Sequence, residues 1–260
     1  MLRNLYTYRR YLLGSFWVDL RYRYAGTTLG FFWFIVNPLI EVTIYAVVFS
    51  QLLSIRSSAG RGVSYTIFLV TGLFPWLAFS LLISKGMNAI YLNALYMRRS
   101  LIPADIFVFK EALFALFNLF VYLILLIPVS ILMKNSLTWH VLLFPVLAIL
   151  ITFFGYGISL ALANFRMLFP DLVDLFSAIL QLWRWTLPIM YSDANFPDLL
   201  RRIMSLNPPY YFIKAFRDIF INHSMPTYQA WIYMFFWIIL SLLVGSITSR
   251  WLRSDVKDLL

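Results

Sequence analysis

Two charged residues, Glu41 and Arg184, stand inside long apolar segments of this 260-residue chain. A charge at the centre of a lipid bilayer costs at least about 2.5 to 3.5 kcal/mol, so such a residue faces the protein interior or a water-filled path. Each lies twelve positions beyond the start of its segment, at Leu29 and Leu172 respectively. At a rise of about 1.5 Å per residue, both sit roughly 18 Å from the same membrane face. We therefore expect both charges at one depth.

The residues that usually carry catalysis are absent or scattered. No Gly-Lys-Ser or Gly-Lys-Thr sequence occurs, so the chain lacks the loop that cradles phosphates in ATPases. His140 and His223 have no carboxylate at the spacing of a metal site or an acyl-transfer site. Without cysteine there is no disulfide frame and no thiolate chemistry. We expect no catalytic residue, metal or cofactor in this chain, and an ATP-driven role requires a second polypeptide.

The composition is that of an integral membrane protein. Hydrophobic residues make up 62% and charged residues 12%, and the mean hydropathy is +0.81. Soluble domains have an apolar share nearer half. The net charge of +10 is explained first by orientation in the membrane and contact with anionic lipid, and we expect no binding of nucleic acid.

The apolar pattern predicts an all-α fold with six transmembrane helices. Each segment is close to the twenty or so residues that cross a hydrocarbon core of about 30 Å. Before them, apolar residues at helical spacing between Leu5 and Tyr24 predict a helix in the membrane interface, so that residues 1–28 form an N-terminal cytoplasmic element and residues 29–260 the six-span domain. The spans are residues 29–53, 65–83, 107–133, 141–163, 172–190 and 228–249.

Basic residues give the orientation. Twelve lie on the side that carries both termini and seven on the other side, where several share their segment with aspartates. The positive-inside rule then places both termini in the cytoplasm. Outside, residues 191–227 form the one long segment, and its two runs of helical spacing around Asn207-Pro208-Pro209 predict two short re-entrant helices in the outer interface.

The stretch from Arg21 to Ile40 changes from basic and tyrosine-rich to almost wholly apolar. Within it, Asn37-Pro38 places a polar residue before a helix breaker, which lipid tolerates only where protein or water satisfies the freed carbonyl. This part of the first span is therefore expected to face protein or a pathway. The basic and aromatic run, Leu29-Gly30, Trp33 and Asn37-Pro38-Leu39 resemble the first span of the ABC-2 type permeases that export polysaccharides, with Wzm-like O-antigen and teichoic-acid exporters as the nearest likeness.

The resemblance extends through nearly the whole chain and implies partners. It implies a homodimer in the bacterial cytoplasmic (inner) membrane, surrounded by membrane lipids. It also implies two copies of an ABC ATPase subunit, which bind ATP and Mg, and a polyprenyl-diphosphate-linked glycan as substrate. Its activity is export of that glycan from the cytoplasmic to the outer side, with no enzyme activity in this chain.

In the second cytoplasmic loop the family has a compact Phe-Arg-Asp, whereas here Arg166 is separated from Asp171 by Met-Leu-Phe-Pro, so a coupling role is not carried over to that loop.

The resemblance also implies three sets of site residues. The implied substrate pathway contains Phe31, Phe32, Trp33, Glu41, Trp76, Trp183, Arg184 and Trp185. The implied ATPase-coupling residues are Asn93, Leu95, Arg98, Arg99 and Pro103, and the implied external gate contains Asn207, Pro208, Tyr211, Phe212 and Phe216.

Each assignment has an alternative. Aromatic rings stack on sugar faces, but any single ring also suits a lipid belt or core packing. The basic pair Arg98 and Arg99 suits orientation alone, and the external helices suit a structural cap. Arg184 has three interpretations: an ion pair with Glu41, an outward-snorkelling cation, or a bidentate ligand of the lipid diphosphate.

The function also has alternatives. Within the resembling class, the glycan can be teichoic acid or capsule rather than O-antigen. From another class, an ion-gradient-driven secondary transporter requires intramembrane carboxylates and an inverted repeat, and this chain offers Glu41 and no visible repeat. A membrane-embedded glycan-modifying enzyme lacks a convergent acid-base set.

Overall fold

The structure, a computed structural model, describes residues 2–22, 30–52, 65–99, 102–193 and 196–252. All regular structure in these ranges is helical, because long apolar segments can satisfy their backbone hydrogen bonds internally only in this way. The α-helices are α1 (Leu2–Thr7), α2 (Arg9–Tyr22), α3 (Trp33–Leu52), α4 (Tyr65–Gly86), α5 (Ala89–Leu92), α6 (Ala94–Arg99), α7 (Ala104–Leu132), α8 (Phe144–Leu168), α9 (Leu172–Trp185), α10 (Asp198–Ser205), α11 (Tyr210–Arg217) and α12 (Tyr228–Trp251).

Four helices of the described ranges are long and apolar enough to cross a membrane: α4, α7, α8 with the 3₁₀ turn before it, and α12. They correspond to the second, third, fourth and sixth predicted spans. α4 is the centre of the bundle, since 78% of its most apolar window is buried inside the protein, whereas for α12 the share is 28%. The outer face of α12 exposes large apolar side chains, among them Phe236, Ile239 and Leu243.

The first and fifth predicted spans correspond to α3 and α9. α3 runs from Trp33 to Leu52 and packs against α4 and α7. α9 has 14 residues and ends at Trp185, not at Met190 as predicted, so it extends only about 21 Å. Pro188 cannot continue the helix, and Leu187 to Met190 form a buried turn instead.

The segment for which the sequence predicts an interfacial helix forms two helices, α1 and α2. Leu12, Phe16 and Leu20 recur every four residues on one face of α2 and are buried, with the Phe16 ring 4.7 Å from that of Phe114 in α7. Lys110 of α7 forms an ion pair of 2.5 Å with Asp19. Packing and charge therefore hold α2 against the first half of α7.

The bundle has two distinct ends. The N-terminal end carries α1, α2, α5, α6 and the 169–171 turn, and there the Tyr11 ring stacks on Tyr96 with centroids 6.4 Å apart. The far end carries residues 133–143, 186–193 and 196–227, where the Asn135 amide donates to the Phe220 carbonyl at 2.9 Å. The described parts of the loops that the sequence assigned to one side of the membrane lie at one end of the bundle, whereas residues 53–64 and 253–260 lie outside the described residues.

The far-end segment contains two short helices, as predicted, but they differ in burial. α10 has no buried residue, whereas seven of the eight residues of α11 are buried. Phe212 stacks on Phe154 with centroids 5.2 Å apart, and Phe216 meets Phe144 at 5.3 Å. α11 is therefore inserted against α4 and α8, deeper than a helix lying in the interface.

Candidate functional site

The two intramembrane charges meet in the structure. Arg184 Nη1 lies 3.3 Å from Glu41 Oε1, which joins α9 to α3. The two side chains are 20% and 33% exposed, so solvent screens the pair only in part. Of the three interpretations of Arg184, the geometry of the protomer is that of the ion pair.

A groove runs from the N-terminal end toward this ion pair. Its lower part is a cavity of about 470 Å³ between α3, α4, α5 and α7, with Asn37, Lys85 and Glu111 in its wall. Its upper part, of about 320 Å³, shares Asn37, Pro38, Leu81 and Tyr122 with the lower part and reaches Glu41. The two cavities are neighbours along α3 and are together called the α3 groove. The prediction that the Asn37-Pro38 step faces a pathway or protein agrees with this placement.

The predicted pathway aromatics occupy different environments. Trp33 lines the α3 groove, and Phe32 and Trp185 are exposed. Trp76 is 2% exposed, and its ring meets that of Trp183 edge-on at 6.0 Å, so within the protomer it is a core residue. Phe31 lies in a 3₁₀ turn before α3.

The predicted coupling residues lie in α5, α6 and the start of α7. Leu92 and Leu95 are 72% and 74% exposed, and Arg98 is exposed on α6. The Asn93 amide donates to the Ala89 carbonyl at 2.7 Å and closes α5, while Pro103 stands immediately before α7. Arg99 is the last residue of α6. The segment therefore presents apolar and basic side chains at the surface of the N-terminal end.

Arg166 contributes a contact that the sequence did not predict. Its guanidinium carbon lies 4.3 Å above the ring of Tyr91 in α5, a geometry of cation–π attraction. The end of α8 is thereby joined to α5, next to the predicted coupling residues Asn93 and Leu95. Sequence spacing gives no signal for this contact, because the two residues are far apart along the chain.

At the far end, Asn207 links the predicted external gate to α9. Trp183 Nε1 donates to Asn207 Oδ1 at 2.7 Å, and Asn207 Nδ2 donates to Thr186 Oγ1 at 2.9 Å. Pro208 and Pro209 follow and precede α11. Tyr211 stacks on Tyr233 of α12 with centroids 4.6 Å apart. The gate residues Tyr211, Phe212 and Phe216 are buried against other helices of the same protomer.

Arg217, which the sequence analysis did not select, fixes the turn after α9. Arg217 Nη2 donates to the Ile189 carbonyl at 2.9 Å, and its guanidinium carbon lies 3.7 Å over the Phe68 ring. Tyr65 Oη donates to the neighbouring carbonyl of Met190 at 3.0 Å. Burial lowers the pKa of Arg217 to about 10, so it stays protonated at neutral pH. The cation connects α11, α4 and the Leu187–Met190 turn.

The two histidines are engaged in local contacts. His140 Nδ1 lies 3.0 Å from Thr138 Oγ1, and His223 Nε2 lies 3.0 Å from Ser136 Oγ. Within the described ranges no three side chains of His, Asp or Glu come together in the manner of a metal site.

The chain matches a known family and several known proteins. Residues 12–221 match the profile of the family described as ABC-2 type transporter. The chain is 26% identical over 260 residues, 99% of its length and 95% of the other's, to the O-antigen export system permease protein RfbA of Myxococcus xanthus. An RfbA of Klebsiella pneumoniae is 29% identical over 78% of this chain and 77% of its own. The polysialic acid transport protein KpsM of Escherichia coli is 22% identical over 77% of each chain.

Proposed function

The chain belongs to the ABC-2 type transporter family, and from this premise we propose that it is the membrane subunit of an ATP-driven exporter of a lipid-linked polysaccharide. The similar proteins named for O-antigen export support this substrate class. The similarity to KpsM favours a second candidate, an acidic capsule-type polysaccharide, at lower identity.

The observation that carries the proposal is the α3 groove with the Glu41–Arg184 pair at its upper end. The groove brings carboxamide, carboxylate and ammonium groups together inside the bundle. Polar groups within a membrane face the protein interior or a water-filled cavity because lipid cannot satisfy them, and they mark transport pathways. Trp33 of α3, Trp185 of α9 and Phe32 in the 3₁₀ turn before α3 supply faces on which sugar rings stack.

The energy source is a separate ATPase. The chain has no phosphate loop, so ATP and Mg bind to the partner, in two copies for a dimer of this chain. The exposed Leu92, Leu95 and Arg98 of the coupling segment form the docking surface. Arg166 on Tyr91 connects that surface to α8.

The membrane arrangement follows from the same proposal. α3 and α9 are the first and fifth of six crossings, with the Leu187–Met190 turn completing the short α9. Exposed apolar side chains on these two helices, such as Ile44 and Leu182, meet the second copy of the homodimer or lipid. The N-terminal end faces the cytoplasm and the far end the outer side of the inner membrane, as the basic residues indicate.

Copurification tests the partnership. A tagged permease co-expressed with the ATPase of its operon retains that ATPase, and the purified permease alone hydrolyses no ATP. The double variant Arg98→Glu with Arg99→Glu reduces the retained ATPase, because it reverses the charge of the docking surface. The control is Arg250→Glu, an exposed arginine at the same end on α12. Equal retention by the double variant and the control would leave these arginines with a role in orientation alone.

A further inference from the structure

The lower part of the α3 groove has the composition of a sugar-binding site. Its wall contains the indole of Trp33, the carboxamides of Asn37, Asn93 and Asn118, and the carboxylate of Glu111. Planar amides and carboxylates pair with neighbouring hydroxyl groups, and an aromatic face covers the C–H side of a pyranose. The volume of about 470 Å³ lies in the range of small-molecule sites, about 300 to 1,000 Å³.

Two of the carboxamides are held in place before any ligand arrives. Asn118 is 4% exposed, and its Nδ2 donates to the Phe114 carbonyl at 2.9 Å. Asn93 Nδ2 donates to the Ala89 carbonyl at 2.7 Å. Because each amide already uses one hydrogen in a bond to a backbone carbonyl, its orientation is set, and both residues line the groove. Such preorganisation reduces the entropy cost of binding.

The charges divide the groove into two zones. Glu111 and Glu41 line its lower and upper parts, and the exposed Lys85 lines the lower part from the last turn of α4, near the N-terminal end. Carboxylates in a partly buried space oppose an anionic ligand, so the interior suits an uncharged polyhydroxyl ring. Lys85 suits a phosphate at the mouth. The groove extends far enough from the N-terminal end to hold a sugar beyond Lys85. Asn118 in its wall lies fourteen positions beyond Ala104, about 21 Å along α7.

We propose that each protomer has its own saccharide site in the α3 groove, which holds the sugar next to the lipid diphosphate while Lys85 faces the phosphates. The site lies between α3, α4 and α7 of one protomer, apart from the faces of α3 and α9 that meet a second copy. The proposal rests on the proposed export of a lipid-linked glycan and specifies where its first sugar is recognised.

Direct binding to the purified permease–ATPase complex in nanodiscs tests the site. The two probes are a short-chain prenyl diphosphate carrying one N-acetylhexosamine and the same prenyl diphosphate without sugar. The wild-type complex binds the sugar-bearing probe about tenfold more tightly, the effect of one or two net hydrogen bonds. Asn118→Leu abolishes this advantage and leaves the affinity for the bare probe unchanged.

Asn164→Leu is a matched control. Asn164 is 2% exposed and donates to the Leu160 carbonyl four residues earlier, as Asn118 does to Phe114, but it does not line the groove. The Asn164→Leu variant therefore loses a buried amide, as Asn118→Leu does, but it keeps the tenfold preference for the sugar-bearing probe. Asn37→Leu, on the exposed side of α3, provides a second groove variant if Asn118→Leu does not fold, and it too lowers the preference.

Lys85→Gln lowers the affinity for both probes by a similar factor, because it removes the phosphate contact and leaves the sugar contacts. Equal wild-type affinity for the two probes, or a tenfold preference retained in both Asn118→Leu and Asn37→Leu, would overturn the saccharide site. If deletion of the gene abolishes surface polysaccharide while the probes bind alike, only the site is wrong. If surface polysaccharide persists after deletion, the proposed function fails and the site with it.

Discussion

At the scale of single residues, the interaction of Glu41 with Arg184 can be measured through its effect on export. Two charges 3.3 Å apart in a partly buried space stabilise each other against the cost of leaving water. Removal of one partner leaves an uncompensated charge, which is more harmful than replacement of both. The pair is therefore best probed by exchange rather than by deletion.

Charge exchange gives the first prediction. Glu41→Arg and Arg184→Glu each place two like charges together and reduce export at least about tenfold, the effect of roughly 1.4 kcal/mol. The double exchange restores the opposite charges and recovers part of the export. Export is measured as surface polysaccharide in a deletion strain, with permease levels matched by immunoblot.

The control for this exchange is Arg184→Lys, which keeps the positive charge but removes the planar guanidinium group. If Arg184→Lys abolishes export with normal assembly while the double exchange is no better than the worse single variant, Arg184 contacts the substrate diphosphate instead of Glu41. That result would contradict the ion pair as the functional state.

Sequence reasoning located this pair and missed others. Helical rise converts position into depth and placed Glu41 and Arg184 at one level, but their pairing also required the first and fifth spans to be neighbours, which only the family resemblance implied. Arg217 and Arg166 gave no such signal. Their partners are a backbone carbonyl of the Leu187–Met190 turn and the Tyr91 ring, and these depend on how α11 and α5 pack, which periodicity does not show.

At the scale of helices, the closest packing joins α8 and α12. A Cβ built on Gly157 would lie 2.5 Å from the Ser241 backbone carbonyl carbon, and one on Gly245 would lie 2.5 Å from the Gly157 carbonyl oxygen. Small residues let two helix backbones approach where lipid provides no hydrophobic drive. α12 exposes most of its surface, so this contact holds it to the bundle.

Gly245→Ala gives the second prediction. The added methyl group meets a backbone oxygen that cannot move away on a flexible side chain, so α12 must shift, at a cost of about 1 to 3 kcal/mol. The melting temperature in detergent falls by several degrees. The control is Gly14→Ala in α2, where a Cβ meets nothing within 4 Å and helix propensity favours alanine by about 0.5 to 1 kcal/mol. An unchanged melting temperature for Gly245→Ala would contradict the close contact.

Helix existence was predicted better than helix extent. The periodic pattern gave the two short helices of the far end, but α11 is buried against α4 and α8 rather than lying in the interface, because Phe212 and Phe216 find aromatic partners there. α9 is shorter than its apolar segment because Pro188 ends it, and Arg217 and Tyr65 bind the carbonyls of the resulting turn.

At the scale of the whole molecule, the predicted coupling residues lie at the N-terminal end of the bundle and the short helices α10 and α11 at the far end. The chain contains no cysteine, so single-cysteine variants need no altered background. Leu95 is 74% exposed at the N-terminal end and Met225 48% exposed at the far end. These two positions report which end faces the cytoplasm.

Labelling of these positions gives the third prediction. In intact spheroplasts, an impermeant maleimide labels Met225→Cys and does not label Leu95→Cys. Permeabilisation makes both reactive. The reversed pattern would place the coupling segment outside the cell and contradict the assignment of both ends.

The central claim is that this chain forms an ATP-driven passage for a lipid-linked polysaccharide, and transport in reconstituted vesicles tests it most directly. Permease and ATPase are inserted into liposomes with the lipid-linked glycan, and exposure of glycan on the opposite face is followed with a glycan-specific lectin. We expect transfer that requires ATP and both proteins, and we expect Glu41→Arg to slow it. Transfer by the permease alone under an ion gradient, without ATP, would contradict it and identify a secondary transporter.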